Sequence, residues 1–274
     1  MIFLKNVLKT AWFAVALSIT VMFVGIVVGS AYGMHLVSVR RGHVDGAARR
    51  KSFSEFMFTW SVPTFRLFRT VMRVDVVYRH RDTGSEQRLP PSIVVANHRS
   101  LLDIFLLLEL LDRMECTDVR WIMKDALRRV PVVGGLCRQN GSVFIDRGDG
   151  DAAVEQIRAC GEMAGDDGAS VIIFPEGTRF TRPRDGSPYR HLLPPRPRGF
   201  TVLRGTLPRH DTLRVTIDMK GLIVKSLFQL GTLVGRRVDV TAVAYRGVPG
   251  DSAAAWLEAE WQAMERYLAA RDAS

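Results

Sequence analysis

Between Ile93 and Ala244 short apolar runs are separated by helical or polar stretches, and that alternation decides the class of fold. The runs are Ile93–Ala96, Val119–Met123, Ser142–Ile145, Val171–Phe174, Leu213–Ile217 and Val238–Ala244. They have strand length and are rich in Val and Ile, as strands buried on both faces are. Leu101–Leu111, Ala152–Ala164 and Ser252–Ala270 instead repeat apolar residues at helical spacing, and in the last of these Leu257, Trp261, Met264 and Leu268 form one stripe. Strands alternating with helices predict an α/β layered domain with a mostly parallel or mixed central sheet flanked by helices. Apolar residues make up 47% of the 274, enough for a sizeable core. Arg79–Pro91 reads as a turn-rich loop. Tyr189–Gly199, with Pro194, Pro195 and Pro197, reads as a stiff extended one.

Polar blocks close several of these runs, and the ends of strands are where α/β proteins place their chemistry. After Ala96 comes Asn97-His98-Arg99-Ser100-Leu101-Leu102-Asp103. A neutral imidazole is the usual general base near pH 7, and a carboxylate fixes its tautomer. Residues five apart do not share a helix face, so the pair meets only if His98 lies in the loop and Asp103 in the first helical turn. Ser100 and Asp103 have the spacing of a capping box, which supports that arrangement. The same spacing also fits a bare helix cap beside an ordinary loop histidine. The second block is Phe174-Pro175-Glu176-Gly177-Thr178-Arg179. Its glycine lets backbone approach a ligand, and Arg179 has the planar fork that grips phosphate; a solvated turn is the plainer alternative. Lys124, Leu127, Pro131 and Gly134 precede a third block, Gly141 to Arg147. If the strands ending near 96, 146 and 174 are parallel, His98, Arg147 and Arg179 share one sheet edge. Otherwise Asp146 and Arg147 are a surface pair of little consequence.

The formal net charge of +10 favours negatively charged partners: anionic lipid, phosphorylated substrate or nucleic acid. No nucleic-acid reading motif appears, and part of the charge sits beside the N-terminal apolar segment, so nucleic acid is not expected as a partner. Three cysteines without metal-ligand spacing argue against a disulfide framework or a zinc site. No Asp, Glu, Lys or Arg lies between Lys9 and Arg40, a run long enough to span a bilayer and longer than the apolar core of a cleaved signal peptide. Residues 1–40 are therefore expected to be a membrane anchor. The heavier basic flank, Arg40, Arg41, Arg49, Arg50 and Lys51, puts the following domain on the cytoplasmic face, at the inner membrane if the cell is bacterial. Residues 41–78 form a basic hinge and an amphipathic segment with apolar residues at Phe53, Phe56, Met57, Trp60, Leu67, Phe68 and Val71, interrupted at Pro63. Arg66, Arg69 and Arg73 beside those aromatics suit a helix in the headgroup layer, or one that simply covers the core. Residues 79–274 make the α/β domain.

Taken in order, the blocks resemble those of the lysophosphatidate acyltransferase family of glycerolipid acyltransferases. His98 to Asp103 is similar to its His-four-residues-Asp signature, Gly141 to Arg147 to its second block, and Phe174 to Arg179 to its third. The separation of His98 from Glu176 is also family-like, and the resemblance covers roughly residues 90–220. His191-Leu192-Leu193-Pro194 followed by Arg198-Gly199-Phe200 resembles a sub-branch of the family. One departure bears on acceptor choice: the fourth block usually carries a proline, and its counterpart here, Val215-Thr216-Ile217, has threonine in that place.

The resemblance implies an O-acyltransferase acting directly, without a protein nucleophile, a metal or a cofactor. The chain has no Gly-x-Ser-x-Gly elbow. His98 would take the proton from an acceptor hydroxyl and Asp103 would orient it. Arg147, Glu176, Gly177, Thr178 and Arg179 would seat the substrate, the arginines on its phosphate and Glu176 on a hydroxyl or an arginine. Backbone donors near Gly177 would face the oxyanion. The implied reaction moves an acyl group from acyl-CoA or acyl carrier protein to 1-acyl-glycerol 3-phosphate at the bilayer, giving phosphatidate. Another lysophospholipid or lyso-aminolipid acceptor, and an inactive membrane-anchored lipid-binding protein, remain open alternatives.

Overall fold

The computed structural model describes residues 28–42, 46–81, 89–146, 148, 150–222, 229, 232–248 and 252–272. The chain divides into two compact units, Met1–Arg49 and Arg50–Ser274. In the first, residues 28–41 are helical. The expected anchor falls largely on residues 1–27, outside the described residues. No helix among the described residues is long and apolar enough to cross a membrane.

The second unit is built on one seven-stranded sheet: β1 (Asp75–Arg81), β2 (Ser92–Ala96), β3 (Val119–Lys124), β4 (Val143–Ile145), β5 (Ser170–Ile173), β6 (Asp211–Asp218) and β7 (Arg237–Tyr245), in the spatial order β1-β7-β6-β2-β5-β3-β4. The five strands from β6 to β4 are mutually parallel; β6 and β7 pair antiparallel, and β1 lies parallel to β7. The sheet is thus mixed and mostly parallel. Every residue of β2 and β5 is buried, which is why their sequences are continuous apolar runs rather than alternating ones. All six expected strands are present. The addition is β1, whose sequence Asp-Val-Val-Tyr-Arg-His-Arg is charged because it is an edge strand. It takes up Arg79 to Arg81, the start of the expected loop.

Six helices accompany the sheet: α1 (Gly46–Val71), α2 (Leu102–Arg113), α3 (Val133–Gln139), α4 (Gly150–Asp167), α5 (Pro197–Thr206) and α6 (Ala253–Asp272). Ile157 and Cys160 of α4, Phe200 and Leu203 of α5 and the Leu257–Trp261–Met264–Leu268 stripe of α6 share a core with Ile93, Val95, Val171 and Ile173 of the sheet. Trp261 Nε1 satisfies its donor on Leu193 O at 3.1 Å.

Two local expectations are corrected. Pro63 does not interrupt α1, which runs through it. Thr59, whose carbonyl loses the helical bond, is exposed along with Pro63, so water can take that place. The extended loop ends at Arg196 rather than Gly199. Pro197 is the first helical residue of α5, where its missing N–H costs nothing. The amphipathic segment divides its apolar residues. Phe53, Phe56, Met57, Val62 and Phe65 are buried, while Leu67 and Val71 stay exposed.

Candidate active site

Because β2, β5, β3 and β4 are parallel, their C-terminal ends meet at one sheet edge. β2 delivers His98 there and β5 delivers the Phe174–Arg179 turn. Asn97 fixes where β2 lets go of the sheet. Its buried side chain donates from Nδ2 to Ile217 O at 2.9 Å and accepts from Ile217 N at 2.7 Å. The amide thus replaces a ladder step beyond the last β2–β6 pair, Ala96 with Val215. Sequence reasoning assigned Asn97 no role, since its partner lies 120 residues away.

The turn into α2 brings the dyad together. His98 Nδ1 lies 2.8 Å from Asp103 Oδ2, with the Asp103 side chain fully buried and that of His98 18% exposed. Asp103 Oδ2 also accepts from the backbone N–H groups of Arg99 and Ser100 at 2.5 and 2.8 Å, and Oδ1 takes Ser100 Oγ at 3.2 Å. Ser100 Oγ in turn accepts from Leu102 N at 2.9 Å. The bonds run both ways as in a capping box, but set one residue earlier than expected: α2 starts at Leu102, so Leu101 and not Ser100 holds the cap position. The cap and the dyad are therefore one arrangement. A carboxylate only accepts, so Nδ1 carries the proton and Nε2 is left with its lone pair. The imidazole stacks on Phe174, ring centroids 4.2 Å apart, which holds its plane.

His98 and Gly177 line a cavity of about 240 Å3 whose wall is otherwise mostly apolar, with Trp121, Ile145, Val154 and Ile173 among its residues. Its charged groups are Lys124, Arg196 and Arg198; among the described residues no acidic side chain lines it. Glu176 is fully buried and lies outside that lining. Its Oε1 accepts weakly from His98 N at 3.4 Å, and among the described residues Oε2 has no hydrogen-bond partner. Burial pushes its carboxyl well above the usual carboxylate range. The neighbouring Asp103 carboxylate adds to this, and the His98 N–H and Arg99 guanidinium do not overcome it. Thr178 and Arg179 are exposed and likewise not part of the lining. Arg147 lies outside the described residues. The Gly177 N–H donates to Phe174 O at 2.9 Å, so that donor is committed to the turn and not offered to an oxyanion. The two motifs are stitched together by Phe180 N donating to His98 O at 2.7 Å.

None of the three cysteines lines the cavity. All are buried, and burial pushes the thiols of Cys137 and Cys160 up to about 12. Among the described residues no group of three or more His, Cys, Asp or Glu is placed to hold a metal ion.

An imidazole base on a buried carboxylate, facing an apolar cavity, is equipped to activate a hydroxyl beside a hydrophobic chain. The chain belongs to the Acyltransferase family, whose model matches residues 79–219. Among curated proteins it is 36% identical over 98 residues to a 1-acyl-sn-glycerol-3-phosphate acyltransferase of Helicobacter pylori, covering 36% of this chain and 37% of that one. It is 34% identical over 106 residues to a lyso-ornithine lipid O-acyltransferase of Rhizobium meliloti, covering 36% of this chain and 32% of that one. These alignments span about a third of the relatives' length. Among solved structures, the 1-acyl-sn-glycerophosphate acyltransferase PlsC of Thermotoga maritima has the same fold, with TM-score 0.59 at 22% identity over 100% of this chain and 99% of that one.

Proposed function

We propose that this protein transfers a fatty acyl group from an acyl thioester to the free hydroxyl of 1-acyl-glycerol 3-phosphate, giving phosphatidate. The observation that carries the reading is the His98 Nδ1–Asp103 pair at 2.8 Å, which leaves Nε2 as a base on the wall of an apolar cavity. His98 removes the acceptor's hydroxyl proton as the oxygen attacks the thioester carbonyl, forming the new C–O bond. The tetrahedral intermediate collapses with cleavage of the C–S bond, and the imidazolium returns its proton to the leaving thiolate. Asp103 holds the tautomer and stabilises the transient positive charge. The acyl chain occupies the apolar cavity. Arg179 and Arg147 serve the acceptor's phosphate, with Gly177 and Thr178 shaping the turn beside it. The substrate-hydroxyl role that the family resemblance implies for Glu176 is not carried forward, because its carboxyl is enclosed. The N-terminal apolar segment anchors the enzyme to a membrane with the α/β unit on the cytoplasmic face, where lipid acceptor and soluble donor meet.

A second acceptor class is favoured by one observation: identity to a lyso-ornithine lipid O-acyltransferase, 34%, is close to the 36% identity to the 1-acyl-sn-glycerol-3-phosphate acyltransferase of Helicobacter pylori. Labelled acyl-CoA and acyl carrier protein, offered with lysophosphatidate, lyso-ornithine lipid and lysophosphatidylcholine to membranes carrying the wild type or His98→Ala, decide both donor and acceptor. The reading expects phosphatidate as the main His98-dependent product. His98-dependent product from another acceptor alone would replace it.

A further inference from the structure

Among the described residues the cavity wall carries three cations outside the motif blocks, Lys124, Arg196 and Arg198, and Arg196 is the one tied to the third block. Arg196 is the last residue before α5, and its backbone N–H donates to Pro175 O at 2.8 Å, which lays it alongside the Phe174–Arg179 turn. Gly177, at φ +72°, presents bare backbone to it. A Cβ on Gly177 would stand 3.5 Å from Arg196 Cδ and 3.7 Å from Nε and Nη1, an ordinary contact distance. The arginine thus lies along the turn, and the residue as a whole is exposed. Among the described residues the Arg196 guanidinium makes no ion pair or side-chain hydrogen bond. Its neighbour Arg198 differs, being bound to Asp151 at 2.6 Å. An exposed arginine that lies along the turn and whose donors have no protein acceptor is arranged to receive an anion from outside.

We infer that Arg196 binds a substrate phosphate at the mouth of the His98 cavity and sets the enzyme's preference for phosphate-bearing substrates. The inference rests on the acyl-transfer reading above. Charge supports it: among the described residues the only other charged groups on the cavity wall are Lys124 and Arg198, and no carboxylate there competes for the guanidinium. The lining also combines apolar residues such as Trp121, Ile145 and Ile173 with these cations, the two surfaces an anionic amphiphile needs. Arg179, the cation of the motif, does not line the cavity, so Arg196 is the arginine that joins the Phe174–Arg179 turn to it. The phosphate has two sources, the monoester of the acceptor and the diphosphate at the end of the pantetheine arm of acyl-CoA.

The test uses the full-length protein in membranes, with wild type, Arg196→Gln and Arg196→Lys. Lysophosphatidate and monoacylglycerol are the acceptors and acyl-CoA is the donor. Loss of a charge-assisted contact predicts that Arg196→Gln changes one of two quantities by about 10- to 100-fold. A fall in kcat/KM selectivity for lysophosphatidate over monoacylglycerol assigns the acceptor's phosphate. A rise in the acyl-CoA KM assigns the donor's. Arg196→Lys, keeping charge without the planar fork, recovers part of either loss. The inference is overturned if both quantities stay at wild-type values, or if kcat falls equally with every substrate, as a shift of the Phe174–Arg179 turn alone would cause. A wild type that acylates no acceptor overturns the acyl-transfer reading and this inference together; a wild type active on lysophosphatidate with an unchanged Arg196→Gln variant overturns only the inference.

Discussion

Helix α2 carries two fully buried carboxylates, Asp103 and Glu109, and the protein uses them in opposite ways. Asp103, in the first turn, is satisfied by backbone N–H groups of its own loop and by a single imidazole. Glu109 lies two turns further along, where Oε1 binds Arg66, Arg69 and Arg113 at 3.0 to 3.1 Å and Oε2 accepts from Tyr78 at 3.0 Å. The partners of Glu109 come from α1, β1 and α2, so it ties three elements together. Asp103 joins no distant element. Its one side-chain partner outside the cap is a histidine with a vacant nitrogen on a cavity. A buried carboxylate saturated by guanidinium groups is a structural tie, whereas one held by local backbone donors is free to serve a neighbour.

Exchanging the effects of the two sites would break this contrast. Removing one partner of a buried, paired charge cluster typically costs about 3–5 kcal/mol. Glu109→Gln should therefore lower stability by about that amount in denaturant titration, with turnover per folded molecule kept. Asp103→Asn should instead act mainly on turnover. An amide oxygen at the Oδ2 place keeps the Arg99 and Ser100 N–H bonds but carries no charge to stabilise the imidazolium, and an NH2 there would donate to Nδ1 only by giving those bonds up. Turnover should fall by about 10²–10⁴-fold, with a smaller loss of stability than in Glu109→Gln. A Glu109→Gln protein that folds normally but is inactive would abolish the distinction.

A smaller effect is expected at Asn97, which belongs to the catalytic loop but works as a tie. Asn97→Ala leaves the buried N–H and C=O of Ile217 without partners, at about 1–3 kcal/mol for each unsatisfied group. Both stability and turnover should fall, because the loop that carries His98 loses its link to β6. A loss of turnover with unchanged stability would show that Asn97 acts on substrate instead.

The smallest effects are in pH dependence, and their signs differ between sites. Burial alone would raise the Glu109 carboxyl. Hydrogen bonds from Arg113 and Arg66 and the nearby Arg69 charge outweigh it, so its pKa is lowered on folding. A lowered carboxyl contributes stability above its unfolded pKa and loses it as pH falls through the folded value. Acid should therefore weaken the wild type below about pH 4, and less so Glu109→Gln. Glu176 is raised by burial, so its contribution is full below the unfolded carboxylate pKa and is lost as pH rises toward the folded one. Glu176→Gln should thus show a flatter stability profile between pH 4 and neutrality, with an equal or higher melting temperature at pH 7. A lower one would mean that the acid form makes a bond the amide cannot.

The sequence exposed the catalytic edge well and the ties poorly. β2 and β5 were legible because strands buried on both faces are continuous apolar runs, and their ends located His98 and Glu176. Ser100 and Asp103 were legible because capping is local in sequence. β1 was obscured by Arg79, His80 and Arg81, since an edge strand needs few apolar residues. Glu109 looked like one more polar residue of a helix, because Arg66 and Arg69 lie 43 and 40 positions away. The enclosure of Glu176 could not be read at all, because a motif specifies residue types and not the direction in which each side chain points. Arg196 was passed over for a related reason: only the fold lays it against Gly177.

The central claim is that the imidazole of His98, oriented by Asp103, removes the acceptor's proton. The most direct measurement is the steady-state turnover of purified His98→Ala with lysophosphatidate and acyl-CoA, beside a circular dichroism melt of the same sample. The account predicts a fall of about 10²–10⁴-fold in kcat in a protein that still melts cooperatively, since Asp103 keeps the N–H groups of Arg99 and Ser100 when the imidazole is gone. Wild-type turnover in a folded His98→Ala protein would contradict it.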